Sequence, residues 1–166
     1  MKPTAWSVIG VAAFCAALVA AQELPEGTGR DVTQRLCSQE CHGLEKVVAE
    51  RHSKSQWMDS LNNMRDQGAK GTDDEFKAIV AYLTMHFGVP VKINKVTAKQ
   101  LDDVMILEAD QADAIIKYRD EHGPFADLDA LLKVPGLNLK LIDEQKANLV
   151  FAVTELVSGS ESTRWR

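Results

Sequence analysis

The sequence has few cysteines and lacks the short motifs that mark several large classes of enzyme. Three cysteines occur in 166 residues. No glycine-rich phosphate loop of the P-loop or dinucleotide-binding type is present. No set of serine, histidine and aspartate, or of cysteine and histidine, suggests a hydrolase. Acidic residues outnumber basic ones by 24 to 19, so bulk charge does not attract nucleic acid or anionic lipid.

Residues 1–21 have the composition of a secretory signal peptide. One lysine is followed by an apolar run that ends in small residues suited to signal peptidase. The run is too short to remain as a membrane span. We therefore expect cleavage before Gln22 and a periplasmic or otherwise secreted bacterial protein. A lipoprotein that uses Cys15 is the alternative, but Phe14 is a poor neighbour for that processing.

The other two cysteines lie in the segment Cys37-Ser38-Gln39-Glu40-Cys41-His42. Two thiols can add to the two vinyl groups of haem, and the adjacent imidazole can then reach the iron. The segment resembles the haem-attachment site of c-type cytochromes, in a variant with three residues between the cysteines. A short disulfide between Cys37 and Cys41 is the simpler alternative. A zinc site is weaker, because no second Cys or His pair follows at ligand spacing.

The next part of the chain has helical periodicity. Trp57, Leu61 and Met64 fall at i, i+4 and i+7, which predicts one apolar helix face, and Ser55 can cap this helix. A unit of roughly seventy residues buries little apolar surface and often needs additional support. A disulfide across four residues closes too small a loop to supply it. A haem would supply a large apolar surface for the helices.

Residues 22–89 also resemble small class I-like c-type cytochromes in the order of their parts. The haem site is followed by a helix with Trp and Met, a glycine-rich turn, and a helix that contains Tyr-Leu. The resemblance implies one haem c, covalently attached at Cys37 and Cys41. His42 and Met64 would be its axial ligands, which leaves no open position on the iron. That coordination favours one-electron transfer to a redox partner over catalysis.

Other assignments of the second axial position remain open. Met64 could be a core methionine, which is the commoner role of Met on an apolar face. His52 would give bis-histidine coordination, but it lies in a polar run. Met85 and His86 lie near a helix end. An empty axial position would instead indicate a haem sensor or small peroxidase.

The second half of the chain contains four short segments in a characteristic order. They read Ile-Asn-Lys-Val-Thr at 93–97, Ile-Ile-Lys-Tyr-Arg at 115–119, His-Gly-Pro-Phe at 122–125 and Leu-Leu-Lys-Val-Pro-Gly at 131–136. This order resembles the tandem helix-hairpin-helix module of secreted DNA-uptake proteins. The resemblance implies an all-α fold, which we assign to residues 90–155. The polar composition of residues 156–166 predicts a flexible tail. Periodicity predicts helices at 111–122, which Asp110 can cap, and from 139 to about 155.

In that family each hairpin carries a Gly-hydrophobic-Gly turn whose backbone N–H groups hold a DNA phosphate. Here the first hairpin reads Leu-Glu-Ala-Asp at 107–110, and Asn138 replaces the second glycine of the other. Nine acidic and three basic residues lie between Lys99 and Asp129. We therefore expect the module to dock a redox partner protein and not to bind DNA usefully. The alternative is an extracytoplasmic DNA-binding protein.

Overall fold

The computed structural model describes residues 23–37 and 43–152, and within them the fold is mostly helical. The α-helices are α1 (Arg30–Cys37), α2 (Leu44–Ala49), α3 (Lys54–Asp66), α4 (Asp73–Phe87), α5 (Ala98–Val104), α6 (Gln111–His122), α7 (Leu128–Leu131) and α8 (Leu139–Glu144). A 3-10 helix (Lys146–Asn148) and two short strands, β1 (Val91–Lys92) and β2 (Leu149–Val150), complete the described part. The predicted leader, Cys41, His42 and the predicted tail lie outside the described residues.

The N-terminal region, which comprises the described residues up to Gly88, has its own hydrophobic core. Helix α4 packs against both α1 and α3. The buried core residues are Leu24, Val47, Trp57, Leu61, Phe76, Ile79, Tyr82, Leu83 and Phe87. The polar lead-in before α1 has no apolar periodicity, which predicts a loose segment, but the structure anchors it to the core. Leu24 is buried, and the Tyr82 hydroxyl donates to the Pro25 carbonyl at 2.6 Å.

Side-chain caps define where the longer helices begin. Ser53, not the predicted Ser55, caps α3: its hydroxyl accepts from the Gln56 N–H, and the Gln56 side chain accepts from the Ser53 N–H at 2.9 Å. The helix therefore begins two residues earlier than predicted, because this reciprocal pair satisfies two free backbone donors. The sequence patterns Thr-x-x-Glu and Thr-x-x-Gln predict two capping boxes, and both are confirmed: Thr72 with Glu75, and Thr97 with Gln100.

The C-terminal region, residues 89–152, has a second core. Its buried apolar residues are Val91, Ile93, Leu101, Met105, Ala112, Ile115, Phe125, Leu131, Val134 and Ile142. Strands β1 and β2 pair in parallel, with Val91 opposite Leu149, which departs from a purely helical fold. The Asn94 amide joins distant segments: its nitrogen donates to the Phe125 carbonyl at 2.8 Å and to the Phe151 carbonyl at 3.0 Å.

The predicted helix from residue 139 to about 155 was wrong in length, because α8 ends at Glu144. The Gln145 side chain, 1% exposed, explains the break. Its amide oxygen accepts from the Ile106 N–H at 2.7 Å, and its amide nitrogen donates to the Ile106 carbonyl at 2.8 Å. These bonds end the α-helix, and the chain continues as the 3-10 helix and strand β2. The part of the prediction beyond residue 152 lies outside the described residues.

Polar contacts join the two regions at the start of α3 and the end of α4. The Asp103 carboxylate accepts from the Ser55 N–H at 2.8 Å and from the Ser55 hydroxyl at 3.0 Å. Lys54 donates to the Asp102 carbonyl, and the Asn148 amide donates to the Met85 carbonyl at 2.9 Å. Helix α3 is therefore held by α5 as well as by its own region. Among the described helices, none is both long and apolar enough to cross a bilayer.

Candidate functional site

The structure describes one of the three residues of the predicted haem-attachment site. Cys37 ends α1, is half-buried, and packs against the N-terminal core. Burial raises the pKa of its thiol. Cys41 and His42 lie outside the described residues, so covalent attachment and axial ligation by this segment remain predictions.

Met64 lies on the helix face that the sequence predicted. Trp57 and Leu61 are buried in the N-terminal core, and Met64 is partly buried against the same core, which Cys37 also contacts. Met58, one residue after Trp57, is 48% exposed. The predicted grouping on α3 is therefore confirmed, whereas a ligand role for Met64 stays a prediction.

Two buried polar atoms in the N-terminal region bear on whether a haem would fit. The Trp57 indole Nε1 and the Thr33 hydroxyl have no hydrogen-bond partner among the described residues. Trp57 is 5% exposed and Thr33 is fully buried. An unpaired buried donor costs about 1–3 kcal/mol. A carboxylate of a bound haem could accept such a hydrogen bond, so these residues fit the group.

The histidines considered as alternative ligands occupy different surroundings. The His52 ring contacts Trp57 edge to face, with ring centroids 4.6 Å apart. His86 packs against the Tyr82 ring, also with a centroid distance of 4.6 Å. Burial lowers the pKa of His86, and the charge of Glu144 opposes this shift. His52 thus lies beside the helix face of Trp57, Leu61 and Met64, on which the predicted axial ligand lies. His86 packs near the lead-in.

The two hairpin turns of the C-terminal region are hydrogen-bonded to each other. The Asn138 amide donates to the Glu108 carboxylate at 2.7 Å. The Gln111 amide donates to the Gly136 carbonyl at 3.0 Å, and its oxygen accepts from the Glu108 N–H at 3.2 Å. Gln111 is 3% exposed. The sequence did not reveal this connection, because its partners are 25 and 30 residues apart.

The two turns each contain a left-handed residue, but they differ in side chain and charge. Asp110 has a φ of +66°, an uncommon conformation for a residue with a side chain. It is the N-cap residue of α6, as predicted, but its side chain makes no capping hydrogen bond. Gly136 has a φ of +81°, and a Cβ there would meet no atom within 4 Å. The first turn therefore presents carboxylates, whereas the second presents open backbone.

Cationic and apolar side chains flank the second turn. Lys133 and Lys140 are exposed, and Leu139 is 52% exposed, a high value for a large apolar residue. Arg119 is already engaged within the fold, because it donates to the Ile93 and Val96 carbonyls at 3.2 and 2.9 Å. The second turn is thus the better candidate for contact with an anion. Within the described ranges, no cluster of three or more His, Cys, Asp or Glu residues could hold a metal ion.

Part of the chain is similar to known proteins. Residues 86–150 match the model of the helix-hairpin-helix motif. "Transcription elongation factor, mitochondrial" of Danio rerio is 30% identical over 81 residues, which cover 46% of this chain and 20% of that protein. "Endonuclease/exonuclease/phosphatase family domain-containing protein 1" of Rattus norvegicus is 40% identical over 53 residues, covering 32% of this chain and 9% of the relative.

A bacterial relative is matched over a larger share of its length. An uncharacterized protein of Haemophilus influenzae is 29% identical over 62 residues, covering 37% of this chain and 55% of that protein. The chain therefore spans between 9% and 55% of the length of these relatives. No solved structure matches the chain significantly. The cytochrome resemblance of residues 22–89 remains a prediction, whereas the C-terminal resemblance is confirmed at the level of the motif: residues 86–150 carry a helix-hairpin-helix motif.

Proposed function

We propose that the chain binds the backbone of duplex DNA through the second hairpin of its helix-hairpin-helix motif. The observation that carries the proposal is the open left-handed turn at Gly136, flanked by the exposed Lys133 and Lys140. The motif match and the relative described as a transcription elongation factor favour DNA over the redox partner that we expected. The expectation that DNA is not bound usefully is therefore in doubt.

The geometry of this turn suits a phosphate. Gly136 has no side chain to keep a phosphate away from the backbone, and its surroundings are open. Lys133 and Lys140 can supply positive charge, and contacts of this kind hold DNA without reading its sequence. We therefore expect binding that depends little on base sequence.

Neighbouring carboxylates limit the affinity. Glu108 bonds to Asn138, two residues from Gly136, and brings negative charge to the second turn. Asp110 exposes another carboxylate at the first turn. Only one or two lysines contact the phosphate, and these two carboxylates repel it. Non-specific DNA binding at physiological salt has dissociation constants of roughly 10⁻⁴–10⁻⁶ M, and we expect a value near or above the weak limit of about 10⁻⁴ M.

The test is a titration of the full chain with fluorescently labelled duplex DNA at low salt, followed by anisotropy. Binding should weaken with salt with a logarithmic slope of about −1 to −2, as one or two phosphate contacts require. Lys140→Ala should weaken binding severalfold. Lys117→Ala removes the same charge from an exposed position on α6 and should have little effect. Absence of binding at low salt, or equal losses in both variants, would overturn the proposal.

A second candidate function is extracytoplasmic one-electron transfer by a covalently bound haem, favoured by the unpaired Trp57 Nε1 in the core. Cys37 and Cys41 would hold the haem, and His42 and Met64 would be its axial ligands. When bound, the group would supply reversible one-electron chemistry. Trp57 would donate its indole N–H to a haem carboxylate, and the surrounding core would exclude water. This reading implies no enzymatic activity of the chain.

The haem reading is tested by expression with a c-type maturation system and haem staining after denaturing electrophoresis. Covalent haem should survive denaturation, and the double variant Cys37→Ala/Cys41→Ala should lose it. In the oxidised protein, Met64→Ala should abolish the weak charge-transfer band at the red end of the spectrum. Met58→Ala is the matched control, because Met58 is exposed and lies off the core face. A folded chain that carries no haem would exclude this function.

A further inference from the structure

An apolar groove runs between α3 and α4, outside both candidate sites. Its volume is about 530 Å³, and residues of both helices line it. Its apolar surface comes from Met58, Leu61, Phe76, Val80, Ala81 and Ile106. Ile106 belongs to the C-terminal region, so the groove is a joint feature of the two regions. Pockets of about 300–1,000 Å³ with mostly apolar walls are typical of small-molecule sites.

The groove lies beside the helix face of Trp57, Leu61 and Met64 and shares Leu61 with it. Met64, Trp57 and Cys37 are absent from its lining, whereas Met58, about a quarter-turn from Trp57 on α3, is part of it. Met58 and Leu139 are the exposed large hydrophobic residues within the described ranges. A single exposed apolar side chain is ordinary, but Met58 continues into the apolar lining of the groove, and contiguous apolar surfaces mark binding sites.

The charged residues of the groove are mainly cationic. Lys54, Arg65 and Lys77 line it, against the single acid Asp73, although acids outnumber bases in the whole chain. Arg65 donates to Asp73 at 2.8 Å, and its guanidinium lies 4.9 Å from the centroid of the Phe76 ring. The Lys77 side chain is 78% exposed and lies 3.3 Å from Asp74. Lys54 donates to the Asp102 carbonyl. The groove lining thus holds three cations against one acid, and the carboxylates beside Arg65 and Lys77 form solvent-exposed pairs with them, which hold such cations only weakly.

We propose that this groove binds a free aliphatic carboxylate of medium chain length. The aliphatic chain would lie along Met58, Val80 and Ile106, and the carboxylate would face Lys77 and Arg65. Charge complementarity selects this class, because an apolar body with an anionic head matches an apolar floor with a cationic border. The proposal uses no residue of the second hairpin and none of the residues named as haem ligands.

The test is isothermal titration calorimetry of the full chain with dodecanoate below its micelle-forming concentration. We expect saturable binding with one ligand per chain. Ala81→Trp should weaken it at least tenfold, because the indole would fill the groove. Asn63→Trp, at an exposed position on α3 that does not line the groove, is the matched control. If circular dichroism shows that Ala81→Trp is unfolded, Met58→Asp, at an exposed position, provides the same test.

A second experiment tests whether the carboxylate of the ligand contributes to binding. Lys77→Gln should weaken dodecanoate binding severalfold and leave dodecanol binding unchanged, because only the carboxylate interacts with the lysine charge. Lys117→Gln, which removes a lysine charge from α6, should change neither. Absence of saturable binding would overturn the proposal, as would binding that Ala81→Trp does not affect. Binding to phosphatidylglycerol vesicles without binding to monomeric dodecanoate would also overturn it and would indicate a membrane-contact surface.

Discussion

The N-terminal and C-terminal regions differ in how completely their buried polar groups are hydrogen-bonded. Among the described residues, the buried side-chain atoms without a partner are Thr33 Oγ1, Trp57 Nε1 and His86 Nε2. All three lie in the N-terminal region. The C-terminal region also buries polar side chains, Gln111 and Gln145, but both are hydrogen-bonded.

This difference indicates what each region needs for a complete core. Buried polar groups in folded proteins are nearly always paired, and an exception calls for an explanation. In the C-terminal region, amide side chains join turns that are far apart in sequence, so the buried amides find their hydrogen-bond partners within the fold. The unpaired donors in the other region support the proposal that a group other than the described residues completes its core.

The largest effect is expected where the amide network of the C-terminal region is broken. Gln145→Ala would leave the N–H and the carbonyl of Ile106 without their partner. Each buried unpaired group costs about 1–3 kcal/mol, so loss of both partners should lower the free energy of unfolding by about 2–6 kcal/mol. Urea denaturation followed by circular dichroism measures it. Gln100→Ala, at an exposed capping box, should cost only about 1 kcal/mol; equal losses would contradict the assigned role of Gln145.

Local sequence patterns predicted the features that depend on near neighbours. The capping boxes of α4 and α5 pair residues three positions apart, and the apolar face of Trp57, Leu61 and Met64 follows from the helical repeat alone. The end of α8 was missed because Gln145 bonds to a residue 39 positions away. Periodicity carries no information about such partners, and it extended the helix too far.

The candidate sites were predicted to different extents for the same reason. The helix-hairpin-helix resemblance identified the segment, but not the contact between Glu108 and Asn138, which are 30 residues apart. The order of residues also gave no indication of the groove between α3 and α4, because Ile106 reaches it from another region. A site that long-range packing creates has no local sequence signal.

The next effect concerns the unpaired indole. Trp57→Phe keeps an aromatic ring in the core and removes the buried N–H. In the haem-free chain, Trp57→Phe should lower the free energy of unfolding clearly less than Gln145→Ala does. Removal of an unpaired buried donor is favourable, and this gain offsets part of the loss of contact area. In a haem-loaded chain the same change should destabilise by about 1 kcal/mol more, since a hydrogen bond is lost. Thermal unfolding of both forms measures the difference; identical costs would show that the indole gains no partner from haem.

A smaller effect is expected at the contact between the regions, where Asp103 meets Ser55. Desolvation raises the pKa of the Asp103 carboxyl, but hydrogen bonds from Ser55 and Ser53 outweigh it, so the pKa is lowered overall. A carboxyl with a lowered folded-state pKa adds stability above its unfolded-state pKa, and this stability is lost as pH falls through the folded-state value. Asp103→Asn should therefore lower the free energy of unfolding by less than about 1 kcal/mol at neutral pH. Below about pH 4, the free energy of unfolding of this variant should fall less steeply with decreasing pH than that of the unchanged protein.

The matched control for this contact is Asp102→Asn. Lys54 bonds to the backbone carbonyl of Asp102 and not to its carboxylate, so the amide should leave both the neutral stability and its acid dependence nearly unchanged. Chemical denaturation at several pH values between 3 and 7 measures both variants. A similar flattening in Asp102→Asn would mean that the acid dependence reflects general charge and not the Asp103 contact.

The smallest effect separates charge from structure at the second hairpin. Glu108→Gln keeps an oxygen that can accept from the Asn138 amide, so the connection between the turns should survive. It removes one negative charge close to the proposed phosphate position. Two unit charges at roughly 6 Å in water interact by about 0.7 kcal/mol, so DNA binding at low salt should tighten about threefold. Glu121→Gln, at an exposed position of α6, is the control for net charge. An equal gain there would assign the effect to overall charge, and no gain in either variant would place the DNA away from this turn.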